Sequence, residues 1–134
     1  MSMLQKQYRQ NYLQAAVFTA SPEKLTLLLY THLVQALRQA GQAMEKKDPE
    51  KTHHWILKAK KILLYLENTL DQKYEISASL SQLYTCMYRL LTGANVKKDR
   101  EALEQVLHLA GELRDTWAQA SELAGGGRPA NDGK

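Results

Sequence analysis

The sequence predicts an all-α protein: an antiparallel four-helix bundle with a short, mobile N-terminal helix, five helices in all. Three observations carry this expectation. Apolar residues recur three and four positions apart through most of the 134-residue chain, which is the spacing of one helix face. Nothing alternates with period two over a useful length, so strands find no support. Chain breakers are missing from the middle: there are three prolines, two of them at helix starts, and most of the seven glycines follow Gly93.

The first helical segment, about Leu4 to Gln14, places Leu4, Tyr8 and Tyr12 at i, i+4, i+8. That spacing gives one narrow aromatic stripe with little else to bury. Three turns are marginal alone, so this helix must form by docking onto something.

The second runs from Pro22 to about Lys46. Ser21 is its expected cap, Pro22 suits the first helical position, and Glu23 suits the positive end of the dipole. Asp48-Pro49 stops it and starts the third, which reaches about Asp71 with Trp55, Ile56, Ala59, Ile62, Leu63, Leu66 and Leu70 in helical register. The fourth, about Ile76 to Ala94, carries Leu80, Leu83, Tyr84, Met87, Tyr88, Leu90 and Leu91 and is expected to end at a turn around Asn95. The fifth starts near Lys98 and carries Leu103, Val106, Leu107, Ala110, Leu113 and Trp117.

Short connections between long helices favour sequence neighbours packing side by side. The organisation expected is a lid segment at 1–18, a bundle domain at 19–124 and a disordered tail at 125–134, where GGGRPANDGK has nothing apolar to bury.

Composition limits function. Hydrophobic residues at 44% and charged residues at 24% describe an ordinary soluble domain. No apolar run reaches the ~20 residues of a membrane span, and the N-terminus lacks an apolar signal region, so a cytoplasmic protein without membrane insertion is expected. The net charge of +4 comes from short clusters interleaved with Asp48, Glu50, Asp99 and Glu101, without a nucleic-acid motif. The single Cys86 reads as a small buried core thiol.

Catalytic material is poor. His53 and His54 are adjacent and point about 100° apart on a helix, so they cannot share a ligand. No inward Glu-x-x-His pair and no phosphate loop occurs, and Glu104 with His108 reads as a routine surface pair. No enzyme activity, cofactor or metal is expected.

What the chain has in excess is apolar and tyrosine surface. In the second helix Leu25, Leu27, Leu28, Leu29 and Tyr30 point around most of the circumference. In the fourth, Tyr84, Tyr88 and Leu91 widen the apolar arc beyond a core stripe. Taken singly, either helix is explained by a wide stripe with tyrosines at its edge. Taken together with the Tyr-striped first segment, they point to an external apolar groove with a removable cover. Such grooves receive helical or extended partner segments.

The matching pieces are Y-x3-Y at Tyr8 and Tyr12, T-A-S-P-E-K-L-x3-L-Y at Thr19 to Tyr30, and K-A-K-K-I at Lys58 to Ile62. They continue with L-Y-x-x-M-Y-R-x-L-x-x-A-N at Leu83 to Asn95 and L-R-D-T-W at Leu113 to Trp117. In their order and separations these resemble the flagellin-specific export chaperone family (FliS) over about residues 8 to 120. Two positions depart from the family pattern: Thr31 stands where an acidic residue is frequent, and Leu90 where a second arginine is.

The resemblance implies a cytosolic helical bundle that binds the disordered C-terminal segment of flagellin, prevents its premature polymerisation and presents it to the flagellar type III export gate. It also implies that the N-terminal segment occupies part of the groove until the client displaces it. The residues expected at the partner surface are Tyr8, Tyr12, Leu25, Leu29, Tyr30, Ile62, Tyr65, Tyr84, Tyr88 and Leu91, with Leu29, Tyr30 and Ile62 equally suited to the core. Trp55 and Trp117 are expected to be packing anchors. Competing readings are a secretion chaperone or regulator with a non-flagellin client, and a structural bundle that self-associates. The free protein is expected to be a monomer or weak homodimer.

Overall fold

A computed structural model describes residues 22–126. It contains four helices: α1 (Pro22–Glu45), α2 (Pro49–Asn68), α3 (Glu75–Lys97) and α4 (Arg100–Gly126). The expected first helix, with Tyr8 and Tyr12, and the Ser21 cap lie outside the described residues. So do residues 127–134 of the expected tail; α4 itself continues through Gly126, past the expected boundary.

Each helix packs against its sequence neighbours, and α4 closes the ring onto α1. The arrangement is therefore an up-down-up-down bundle, as short connections dictate. The core is built from Leu33, Leu37 and Ala40 of α1, Ile56 and Leu63 of α2, Met87 and Leu91 of α3, and Leu103 and Val106 of α4. Helix α1 is buried on the widest arc, because it packs extensively on both α2 and α4. That is where much of its two-sided apolar character goes.

The α1–α2 and α3–α4 turns lie at the same end of the bundle and repeat one design 51 residues apart. Lys47 and Lys98 both adopt left-handed backbone, with φ of 57° and 53°. The next residue, Asp48 or Asp99, donates its backbone N–H to the Ala43 or Ala94 carbonyl at 2.9 Å. Each aspartate side chain then accepts from the first turn of the following helix, Asp48 from Lys51 N–H (3.1 Å) and Asp99 from Glu101 N–H (3.0 Å). A left-handed residue satisfies the end of one helix and a carboxylate caps the next, so the chain reverses within a few residues. The α2–α3 connection lacks this design. There the Ser77 hydroxyl donates to the Asp71 carbonyl at 2.6 Å, and no side chain caps α3 at Tyr74.

Three sequence expectations are corrected. Helix α3 runs to Lys97 rather than ending at Ala94, and Asn95 sits inside it. The Asn95 side chain is occupied across the bundle with His53 Nδ1 (2.7 Å) and accepts from Lys98 Nζ (2.7 Å), so the left-handed position falls to Lys98. Cys86 is exposed, because Tyr84, Met87 and Leu91 take the core face of α3 and leave position 86 outward. Glu104 pairs with Arg100 (3.0 Å), and His108 pairs with Glu112 (3.3 Å) instead of Glu104.

Candidate functional site

Helices α2 and α3 run antiparallel in a constant register. His53 meets Asn95, Lys60 lies over the Tyr88 ring (4.6 Å to its centroid), and Glu67 accepts from the Ser81 hydroxyl (2.6 Å). These contacts advance seven residues along each helix at every step. Seven residues are about two turns, so all three fall on facing edges of the two helices.

Over this seam lies an open groove of about 440 Å³ lined by Leu63, Leu64, Glu67, Tyr84, Thr85, Tyr88, Arg89 and Thr92. Its walls are largely apolar. Leu64, 52% exposed, stands at the α2 rim, with the exposed Leu57 seven residues before it. Lys60 holds its ammonium on the Tyr88 ring face, a cation–π contact that fixes the ring at the groove's edge.

Of the sequence-predicted residues, the groove brings together Tyr84 and Tyr88. Leu29, Tyr30, Tyr84 and Leu91 are buried in the core; Tyr84, 3% exposed, reaches the groove from beneath. Leu25 and Ile62 are half-buried against the core. Tyr65 is 57% exposed but lies outside the groove. It follows Lys58 by seven residues, and Lys58 is close enough to His32 of α1 to lower its pKa, which places this edge of α2 on the α1 side. Tyr8 and Tyr12 lie outside the described residues.

Sequence reasoning missed Leu63, Leu64, Glu67, Thr85, Arg89 and Thr92. Leu57 and Leu64 did carry a signal: they are apolar, seven apart, and off the stripe that Ile56, Ala59, Leu63 and Leu66 define. The polar members carried none, because threonine and arginine on a helix ordinarily mean solvent.

Beneath the groove the hydroxyls of Tyr30 and Tyr84 hydrogen-bond to each other, and Trp117 presents its ring edge-on to Tyr30, centroids 6.4 Å apart. Burial raises both phenol pKa values; for Tyr84 the bond to Tyr30 raises it further. His32, half-buried, has its pKa lowered by burial and by the Lys58 charge. Among the described residues, no group of three or more His, Cys, Asp or Glu side chains is placed to hold a metal ion. No described helix is long and apolar enough to cross a membrane. The groove offers apolar walls, hydroxyls at its edge, and charged side chains among its lining.

Comparison with known proteins converges on one group. The family model described as "Flagellar protein FliS" matches residues 4–124. The chain is 40% identical to the flagellar secretion chaperone FliS of Bacillus subtilis over 109 residues, covering 81% of this chain and 82% of that one. It is 34% identical to the flagellar secretion chaperone FliS of Salmonella typhimurium over 122 residues, covering 89% and 90%. It is 33% identical to the flagellar secretion chaperone FliSB of Pseudomonas aeruginosa over 114 residues, covering 84% and 90%.

Proposed function

The chain belongs to the FliS family of flagellar secretion chaperones, and on that premise we propose that it binds the disordered C-terminal segment of flagellin in the cytosol. Held on the bundle, that segment is kept from polymerising into filament and is delivered to the flagellar export gate. The observation that carries this reading is the open groove between α2 and α3, with Leu64 on its rim and Tyr84 and Tyr88 in its wall. A disordered client spends several kcal/mol on ordering and recovers it by burying apolar surface, which suits a complex that must protect and then release.

In this reading Tyr84 and Tyr88 touch the client, while Leu25, Ile62 and Tyr65 flank its path. Leu29, Tyr30 and Leu91 support the surface from beneath. Residues 1–18, with Tyr8 and Tyr12, act as a lid that the client displaces. A lid closed about 99% of the time would lower apparent affinity about 100-fold.

Titration calorimetry with a peptide of the flagellin C-terminal segment tests this, on the full chain and on a version lacking Met1 to Gln14. Saturable one-to-one binding that tightens on truncation supports both client and lid. Binding abolished by truncation keeps the client and makes the first segment a contact. No binding to either folded protein removes flagellin as the client.

Exposed Leu57 and Leu64, seven apart on α2, would also seat a second copy of the chain. Light scattering of the free protein distinguishes this: a monomeric mass up to high concentration leaves the surface to the client.

A further inference from the structure

The groove is charged unequally along its length. At one end stands Glu67, its carboxylate held by the Ser81 hydroxyl at 2.6 Å. Glu75 follows at the same end of the bundle, in the first turn of α3, and Asp71 of the α2–α3 connection is there too, its charge countered by Lys73 at 4.0 Å. Toward the other end lie Arg89 in the wall, Lys60 on the Tyr88 ring and the exposed Lys61. Between Glu50 and Glu67 helix α2 has no carboxylate, and between Glu75 and Asp99 neither does α3. Arg89 is eight residues beyond Ser81 on α3, about 12 Å along the axis. Among the described residues the side chains of Arg89 and Lys61 make no ion pair or hydrogen bond. Apolar walls thus run between a negative end and a positive end whose cations have charge to give.

We infer that the groove accepts its client as an amphipathic helix in one direction only. The C-terminal half of that helix, bearing acidic side chains, lies at Arg89, Lys60 and Lys61, and its N-terminal end lies at Glu67. This rests on the flagellin reading above and adds polarity to it. Two effects act in the same sense. A helix carries partial negative charge at its C-terminus and partial positive charge at its N-terminus, so its dipole is matched in this orientation and opposed in the reverse. Acidic side chains near the C-terminal end meet unpaired cations, and arginine offers a fork suited to a carboxylate. The client helix then runs parallel to α3 and antiparallel to α2, with its apolar face against Leu64, Tyr84 and Tyr88. Rim charges contribute modestly to affinity but decide register and direction, because the reversed complex sets like charges together.

The test uses the full chain and flagellin C-terminal peptides bearing a photoreactive benzoylphenylalanine near one end or the other, with cross-links mapped by mass spectrometry. The C-terminal probe is expected to attach around Arg89 and Thr92 or Lys60 and Lys61, and the N-terminal probe around Glu67 and Ser81. In parallel, Arg89→Glu is expected to weaken binding about tenfold, and one Asp or Glu→Lys change in the second half of the peptide is expected to restore it. Arg89 is exposed, so the variant's helical dichroism should match that of the unsubstituted chain. Reversed or mixed cross-links, or Arg89→Glu binding within twofold, overturn the fixed direction while leaving flagellin as the client. No binding by the unsubstituted protein removes both.

Discussion

The phenol oxygens of Tyr30 and Tyr84 lie 2.5 Å apart across the diagonal of the bundle, tying α1 to α3 beneath the groove. Both residues are almost wholly buried, Tyr30 at 1% exposure and Tyr84 at 3%, so each hydroxyl is the other's answer to losing water. Two buried hydroxyls on diagonal helices fix the rotation of both, and with it the angle at which Tyr84 enters the groove wall.

Replacing one tyrosine orphans the other. Tyr84→Phe and Tyr30→Phe are each expected to cost about 1–3 kcal/mol, the penalty of a buried polar group left unpaired. The double variant removes both polar groups and keeps both rings, so it should cost no more than either single change. Denaturant unfolding of the three variants reads this coupling directly; strict additivity would mean the bond adds nothing.

Stability should also depend on His32. Burial and the Lys58 charge hold its folded pKa below 6.5, its ordinary value, so the folded state prefers the neutral imidazole. The unfolded chain therefore binds more protons between those two pKa values, and stability rises with pH across that window. The contribution is full above about pH 6.5 and is lost progressively as pH falls toward the folded pKa. Denaturation midpoints measured from pH 7.5 downward should fall, with a shallower slope in Lys58→Gln and a shallower one still in His32→Asn.

The two repeated turns allow a comparison. Lys47 and Lys98 hold left-handed backbone that glycine adopts without a Cβ penalty, so each Lys→Gly change should stabilise the bundle by about 0.5–1 kcal/mol. The gain should be smaller at position 98. There Nζ donates to the Asn95 carbonyl (2.8 Å) and side-chain oxygen (2.7 Å), and glycine loses both bonds. Thermal or denaturant unfolding that ranks the gains the other way would show that the Asn95 contacts count for little.

Much of this was legible because helices announce themselves through spacing. Pro22 and Pro49 mark the starts of α1 and α2, and the apolar stripes of all four helices predict the core. Asn95 misled because its usual role at helix ends is a local tendency, whereas its partner His53 is 42 residues away. Tyr30 and Leu91 illustrate a second limit. Apolar breadth on one helix cannot tell a surface from a core shared by two neighbours: α1 packs against both α2 and α4, and α3 likewise. An external groove is legible in the sequence, but its place between α2 and α3 is not, for the opposite reason: Leu64 and Arg89 come from different helices, and their meeting depends on the α2–α3 register. That register is set by His53–Asn95, Lys60–Tyr88 and Glu67–Ser81, pairs that no single helical pattern contains.

Groove and core residues should separate cleanly when stability and binding are measured on the same variants. Leu64 is half in water, so Leu64→Gln, which keeps a good helix former, should shift unfolding by about 0.5 kcal/mol or less. Its loss from the rim should nonetheless weaken binding of the flagellin C-terminal peptide about tenfold, because a leucine buried on binding contributes about 1.5–3 kcal/mol. Leu91, fully buried on α3, should behave in reverse. Leu91→Ala opens a cavity and should cost about 2–5 kcal/mol of stability, with peptide affinity little changed at a temperature where the variant remains folded. If Leu91→Ala weakens the peptide as much as Leu64→Gln does, the client reaches between the helices and the core is part of the binding surface.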